Sequence, residues 1–397
     1  MLTPFPYPGK HYCQPDFFRI LTRMKIITTF LILTLFATHK PMQKNQFLIV
    51  GTYTNAGSKG IYVFRKDAVT GRFIPTDTAG GVPNPSFLTL SPDKQFLYAV
   101  SEFSKDSTGS AFSYAFDRNA GTLQLINHQL TGAGPCHIST DAANRFVFTG
   151  NYNGGSLTVL PVQADGSLAA AVQQIVHQGS GPVASRQKTP HVHSANFSPD
   201  GKQLLVPDLG TDKVMIYDFE PSRKMRPLQP AAQPFASVEP GGGPRHLVFH
   251  PNGRYAYLVL EISGKTAAFS YANGHLALLQ TISGAPADYK GSSFGSADIH
   301  VSPDGKFLYM SSRGDLSNLS IYRISEKDGT LFLIGHQPTL GKEPRNFLIT
   351  PDGQYLLAAN QKSNTIVVFK RDLNTGLLTA TGEELAVPTP VCLKWVE

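Results

Sequence analysis

One phrase returns six times along the chain, and no other feature restricts its fold as tightly. It reads NPSFLTLSPDKQFLYAVSE from Asn84, GPCHISTDAANRFVFTGNY from Gly134 and TPHVHSANFSPDGKQLLVPD from Thr189. It returns as GPRHLVFHPNGRYAYLVLE from Gly243, SADIHVSPDGKFLYMSS from Ser296 and EPRNFLITPDGQYLLAAN from Glu343. Measured at Ser91, Thr140, Ser198, His250, Ser302 and Thr350, the intervals are 49, 58, 52, 52 and 48 residues. A period near fifty holding several short strands belongs to a propeller or another repeat array, because one such unit cannot bury its apolar faces alone.

Each copy reads as four strands, here A to D. Strand A runs into a Pro-Asp-Gly-like turn, where glycine tolerates positive φ and Asp or Asn bonds its own backbone. Strand B follows, as in FLYAV or YLLAAN, and strand C as in SIYRI or TIVVFKR. A second hairpin carries Gly71, Gly121, Gly166, Gly274, Gly329 or Gly376 before strand D; the copy after Asp218, with EPSRKMRPL, lacks it. Strands rich in Val, Ile, Tyr and Phe between such turns leave almost no room for helix. The chain ends supply a seventh unit. FLIVGTYT (Phe47 to Thr54), GIYVFRK and RFIPT match strands B, C and D, and the missing strand A appears as TPVCLKW, Thr389 to Trp395. Pairing of those ends would seal a ring and remove an exposed sheet edge. The sequence therefore predicts an all-β fold: a seven-bladed β-propeller of four-stranded antiparallel blades, one domain over residues 44–397, closed by its N- and C-terminal strands.

Charge and cysteine usage narrow the partners. Of the formal net charge of +7, residues 1–43 contribute five basic side chains (Lys10, Arg19, Arg23, Lys25, Lys40) against Asp16, so the remainder carries only +3. No basic run alternates with exposed aromatics, which argues against nucleic acid. Cys13, Cys136 and Cys392 lack metal-ligand spacing. Met24-Lys25 precedes IITTFLILTLFA, twelve uncharged residues from Ile26 to Ala37. That layout matches a secretory signal over residues 24–43 and is too short to span a bilayer as a helix. Residues 1–23 then read as a disordered upstream extension. The expectation is an exported, periplasmic monomer without a stable membrane span, or a cytoplasmic one if Ile26 to Ala37 is instead a buried first strand or helix.

Strands A and B are antiparallel neighbours, so the start of A and the end of B share a face of the ring. Those positions gather Thr52 and Tyr53; Glu102; His137 and Asn151; and His191, His193 and Asp208. They add Arg245, His246 and Glu261; Asp298 and Arg313; and Arg345, Asn346, Asn360 and Gln361. Arginine's planar fork pairs with carboxylate or phosphate, a glutamate can take a proton from water and a histidine can donate one. Arginines also stabilise charge developing on a carbonyl oxygen. Such a mouth suits a small anion. The bland reading is an architectural set of ion pairs. Gly291-Ser292-Ser293-Phe294-Gly295 matches G-x-S-x-G but lies in a loop, without the strand, sharp turn and helix that a nucleophile elbow needs. His191 and His193 alternate on a strand with no third ligand, so no metal and no cofactor is expected.

PHVHSANFSPDGKQLLVPDLGTDKV, GPRHLVFHPNGRYAYLVLE, DIHVSPDGKFLYMSSR and EPRNFLITPDGQYLLAANQKSNTIVVF closely resemble the propeller-type lactonase family over about residues 46–396. That family includes bacterial 6-phosphogluconolactonases and the fungal carboxy-muconate cyclases. Its catalytic positions match His193, Arg245, Glu261 and Arg313, and its substrate-binding pattern matches His137, His246, Arg345 and Gln361. Leu260 departs from the asparagine that relatives often carry before the glutamate. The resemblance implies a hydrolase of sugar δ-lactones, acting on a small anionic or sugar-lactone substrate. It assigns Glu261 as base for water, Arg245 and Arg313 as carbonyl or anion stabilisers, and His193 as proton donor or orienting group. The alternatives are a lactone-forming muconate cycloisomerase of the same family and a noncatalytic propeller that binds protein or ligand. A WD-repeat scaffold is disfavoured by a single tryptophan, Trp395.

Overall fold

A computed structural model describes residues 45–105 and 108–397, with side chains described outside residues 103–107. The expected upstream extension, signal segment and Cys13 lie outside the described residues. The described chain forms seven four-stranded antiparallel sheets, each in the order A-B-C-D. Its one short helix is a 3₁₀ turn at Thr54–Ala56.

In chain order, blade 1 comprises Leu88–Leu90, Phe96–Lys105, Thr108–Asp117 and Thr122–Gly132. Blade 2 comprises Pro135–Thr140, Phe146–Asn151, Ser156–Pro161 and Gln173–Val176. Blade 3 is built from Asn196–Phe197, Gln203–Asp208, Lys213–Phe219 and Leu228–Ser237. Blade 4 is Pro244–Phe249, Tyr255–Leu260, Lys265–Ala272 and His275–Ser283. Blade 5 is Ser296–Val301, Phe307–Ser312, Asn318–Ile324 and Leu331–Pro338, and blade 6 is Pro344–Ile349, Tyr355–Asn360, Thr365–Arg371 and Leu378–Ala386. The closing blade joins Pro390–Val396 to Gln46–Thr52, Ile61–Lys66 and Phe73–Ala79. Its seam pairs Phe47 with Val396 and Thr52 with Pro390, so the expected closure by the chain ends is present.

The A–B turns explain why Ser-Pro-Asp recurs. In the turns at Ser91, Ser198, Ser302 and Thr350, the hydroxyl donates to the Asp carboxylate two residues on. The same hydroxyl oxygen accepts the first amide of strand B, at Phe96, Gln203, Phe307 and Tyr355. Each turn thereby satisfies its own backbone without help from neighbours.

Blade-to-blade packing supplies the rest of the stability. Seven apolar clusters fill the seven interfaces. In one, Ile49 and Val63 of the closing blade meet Leu97 and Phe112 of blade 1. All the C–D hairpin glycines except Gly71 are close-approach points. Gly166 (φ +82°) lies where a Cβ would stand 2.2 Å from the Phe96 ring of the preceding blade, and Gly329 (φ +74°) where it would stand 2.4 Å from Tyr255. Only a residue without Cβ fits both the conformation and the space. Blade 3 lacks this glycine, and there Phe219 meets Phe146 and Phe148 of blade 2 edge to face, at 6.0 and 5.5 Å.

A register irregularity recurs near the start of strand A: between Pro135 and His137, Pro244 and Leu247, Ser296 and Ile299, and Pro344 and Asn346. A bulge re-aims side chains that strict alternation would send to opposite faces. It lets consecutive residues such as Arg245 and His246 both be buried toward the channel.

Candidate active site

The residue just beyond the end of strand B turns toward the ring centre in several blades. Tyr53, Tyr152, Glu261 and Arg313 occupy this position, Glu102 is its counterpart inside the longer strand B of blade 1, and all five line one cavity of about 370 Å³. Strand A regions add Cys136, His193 and Arg345, and inter-blade segments add Arg186 and Gly295. The strand-end residues one place earlier serve the scaffold. Asn151 donates to Ser156 and Thr158, Asp208 accepts from the His191 and Gly210 amides, and Asn360 donates to the Thr339 carbonyl. At the equivalent place in blade 4, Leu260 is fully buried in an apolar cluster. Glu261 is held there by its backbone, whose amide donates to the Gly243 carbonyl at 2.7 Å.

Glu261 is the hub. Its Oε1 lies 2.6 Å from Arg186 Nη2; its Oε2 lies 2.9 Å from Arg245 Nε, 3.1 Å from Arg313 Nη2 and 3.7 Å from His193 Nε2. The Arg245 contact is an ion pair without an aligned hydrogen bond. Burial pushes the Glu261 carboxyl upward, but Arg313, Arg245 and Arg186 outweigh it and hold the group at about 2. Glu261 is therefore a carboxylate throughout the physiological range. Arg245 is lowered to about 10 by its burial and by the nearby Arg345 and Arg313 charges, and it remains cationic at neutral pH. Its Nη1 donates to the Ala297 carbonyl, while Arg313 Nε donates to the Gly295 carbonyl at 2.7 Å. Burial, then Arg245, His246 and Arg345, hold His193 well below the usual histidine range, so its imidazole is neutral.

A second ion pair faces the first across the cavity. Arg345 Nη2 lies 4.0 Å from Glu102 Oε2, with the guanidinium 5.3 Å from the Tyr53 ring centroid. Tyr53 donates its hydroxyl to Glu102 at 2.8 Å, and burial pushes its phenol well above the ordinary range. Four guanidinium groups thus surround two carboxylates. The cavity carries a surplus of positive charge and would attract an anion.

The other end of the channel opens into a second cavity of about 400 Å³, lined by strand A residues of six blades. His137, His246, Asp298 and His300 lie there, away from Glu261. Asp298 receives His246 Nδ1 at 2.8 Å and His300 Nε2 at 2.9 Å, together with the Asn346 side-chain amide and the Phe347 amide. Burial lowers His246 to about 4, and His246 spans the two regions: its ring centroid is 5.5 Å from that of His193, and Arg245 Nη1 is 3.2 Å from its Nε2.

The structure thus gathers His193, Arg245, Glu261 and Arg313 at one point, with Arg345 across the same cavity. His137 and His246 line the second cavity instead. Gln361 lies outside both linings, its backbone amide donating to the Glu343 carbonyl at 3.0 Å. Residues 291–295 neither follow a strand nor begin a helix, so they do not form a nucleophile elbow. His191 stacks on the Tyr152 ring at 4.3 Å, and His193 meets the same ring edge to face at 5.3 Å. Among the described residues no three His, Cys, Asp or Glu side chains converge as metal ligands.

Sequence reasoning missed Arg186 and Tyr152. Arg186 lies in the segment joining blades 2 and 3, outside the repeated phrase. Its one signal was the 58-residue interval, the longest of the five, which marks an insertion.

The comparisons with known proteins agree with this architecture. Residues 47–395 match the family described as "Lactonase, 7-bladed beta-propeller". A protein of Bacillus subtilis named 6-phosphogluconolactonase is 37% identical over 87% of this chain and 97% of its own length. One of the same name from Formosa agariphila is 41% identical over 86% of this chain and 96% of its own length. The solved structure of the Pseudomonas aeruginosa periplasmic gluconolactonase superposes with a TM-score of 0.84 at 41% identity, covering 89% of this chain and 99% of that one. With repeat, ring and cavity in agreement, the chain belongs to the seven-bladed β-propeller lactonase family.

Proposed function

We propose that this protein hydrolyses a sugar δ-lactone, and that a phosphorylated aldonolactone is the substrate class its cavity serves. The observation that carries the reading is the convergence of Arg186, Arg313 and His193 on Glu261 within one cavity, with Arg245 buried against the same carboxylate. Relatives named 6-phosphogluconolactonase support the phosphorylated class, and the periplasmic gluconolactonase supports lactone opening without naming a phosphate. In the proposed reaction a water attacks the lactone carbonyl carbon and gives its proton to Glu261. Arg313, which lines the cavity, faces the oxygen that becomes negative, and the buried Arg245 adds its positive charge from within the protein beside Glu261; such stabilisation is a large contribution in acyl transfer. The ring C–O bond then breaks, and the departing oxygen takes the proton held by Glu261, passed on the His193 side of the cavity by the neutral imidazole, leaving an open-chain hydroxy acid and a free Glu261 carboxylate.

Lactones of this kind open spontaneously, so the test is the rate above that background. Wild-type protein should accelerate opening, and Glu261→Gln should lower the enzymatic rate by roughly 10²- to 10⁴-fold. Equal rates for the two would remove Glu261 from the chemistry, and a wild type no faster than buffer would leave a noncatalytic propeller. A substrate panel of phosphorylated lactone, free lactone and carboxy-muconate chooses between hydrolysis and the cyclising branch of the family. Export is part of the same reading, supported by residues 24–43 and by likeness to a periplasmic gluconolactonase. N-terminal sequencing of the mature protein tests it.

A further inference from the structure

Four cationic side chains surround Glu261 and Glu102, but they are not equivalent. The Arg245, Arg313 and Arg345 side chains are 2%, 13% and 16% exposed, whereas Arg186 is 39% exposed. The first three rise from blade strands or their immediate ends. Arg186 comes from the inter-blade segment and reaches over the cavity from outside the repeat. Both of its polar contacts, to Glu261 Oε1 at 2.6 Å and to the Tyr152 hydroxyl at 3.2 Å, run through the single nitrogen Nη2. The bidentate fork that makes arginine a strong partner for phosphate is not engaged by the carboxylate.

The backbone beneath Arg186 is anchored. The neighbouring Gln187 is fully buried, its Nε2 donating to the Leu209 carbonyl at 2.8 Å and to Asp212 Oδ1 at 2.7 Å, while its Oε1 accepts the Val183 amide at 3.1 Å. Asp212 also accepts the amides of Gly241 and Gly243, at 2.7 and 2.9 Å, in the segment that leads into Arg245. The segment bearing Arg186 is thereby tied to the strand bearing Arg245. A fixed backbone with a half-exposed, singly bonded guanidinium describes a side chain that can swing, not a loop that lifts.

We infer that Arg186 is a displaceable latch: it caps the Glu261 carboxylate in the empty site and transfers its guanidinium to the phosphate of the incoming substrate. The inference rests on the lactonase reading for its catalytic consequence, although the binding step stands on the geometry alone. Glu261 in the free site faces Arg186 from the inter-blade segment, Arg245 and His193 from the strand A regions, and Arg313 from the end of strand B in blade 5. Glu102, Tyr53, Arg345, Cys136 and Tyr152 share the cavity. Three cations make the carboxylate a weak base, and a weak base is poorly matched to taking a proton from water near neutral pH. Drawing one cation away raises its basicity at the moment a substrate arrives. A lactone without phosphate leaves the cap in place. The latch would therefore set specificity and basicity with the same movement.

Calorimetry with two stable hydroxy-acid probes, a 6-phosphoaldonate and its unphosphorylated counterpart, tests the binding step without any turnover. Wild-type protein should bind the phosphorylated probe more tightly. Arg186→Gln should lose roughly 10- to 100-fold for that probe and change little for the other, with Arg186→Lys between them. Equal losses for both probes, or no loss for the phosphorylated one, overturn the latch. The kinetic arm is a pH profile. Removing a cation raises the Glu261 pKa, so the acid limb of kcat/KM in Arg186→Gln should move to higher pH; an unmoved limb in an active variant also overturns the inference. A wild type that opens no lactone would defeat the lactonase reading, while the calorimetric comparison would still decide for or against the latch.

Discussion

Glu261 and Asp298 are both buried carboxylates, and their neighbours give them different work. Glu261 is surrounded by guanidinium groups at the wall of an open cavity. Asp298 has its oxygens engaged by two imidazoles, an amide side chain and a backbone amide drawn from blades 4, 5 and 6. The first can exchange partners with a ligand, whereas the second knits three blades together. Replacing Asp298 by alanine should cost about 3–5 kcal/mol, the usual result of leaving buried partners of a charged group uncompensated, as read by urea denaturation. The same region predicts a pH dependence. His246 is near 4 in the fold against 6.5 for an ordinary histidine, so the folded state binds fewer protons than the unfolded state between those values. This stabilisation is fully present above pH 6.5 and is lost as the pH falls toward 4, by about 3 kcal/mol for this residue. His137 and His193 are lowered in the same direction. The urea midpoint should fall between pH 7.5 and pH 5, and His246→Gln should flatten that slope.

At the scale of the element, the C–D hairpin glycines offer an internal comparison. Gly166→Ala meets both a positive φ and the Phe96 ring, whereas Gly71→Ala meets positive φ with nothing within 4 Å. The first should destabilise by roughly 2–4 kcal/mol and the second by about 1 kcal/mol, measured as shifts in denaturation midpoint. This packing role was not readable from the sequence, where the six glycines served only as turn markers. Strand order, hairpin turns and the closing pair were readable, because each follows from local turn chemistry repeated at a fixed interval. The meeting of Arg245 with Glu261 was readable too, since antiparallel pairing places the start of strand A beside the end of strand B. What the pattern hid was the bulge in strand A. Strand position alone put His137 and His246 at the mouth with their neighbours; in the structure they line the second cavity instead. Arg186 was hidden for another reason: it belongs to a segment that no other blade repeats, so no periodicity pointed to it.

At the scale of the molecule, the ring holds a site that no single blade contains. The groups around Glu261 come from blades 2, 3, 4 and 5 and the segments between them, and Arg345 belongs to blade 6. Their spacing depends on closure. Deleting residues 389–397 should unpair the seam at Phe47–Thr52, expose the cluster that Cys392 and Val396 complete, and turn a defined species into self-associating material by size-exclusion chromatography. The seam also sets an order of events during synthesis. Strand Pro390–Val396 is the last of the ring to leave the ribosome, and its partner, Gln46–Thr52, must wait through nearly the whole of translation with one edge bare. Lactone turnover in a cell extract would therefore report finished chains alone, and a nascent chain stalled in its sixth blade would have every residue of the cavity and no cavity.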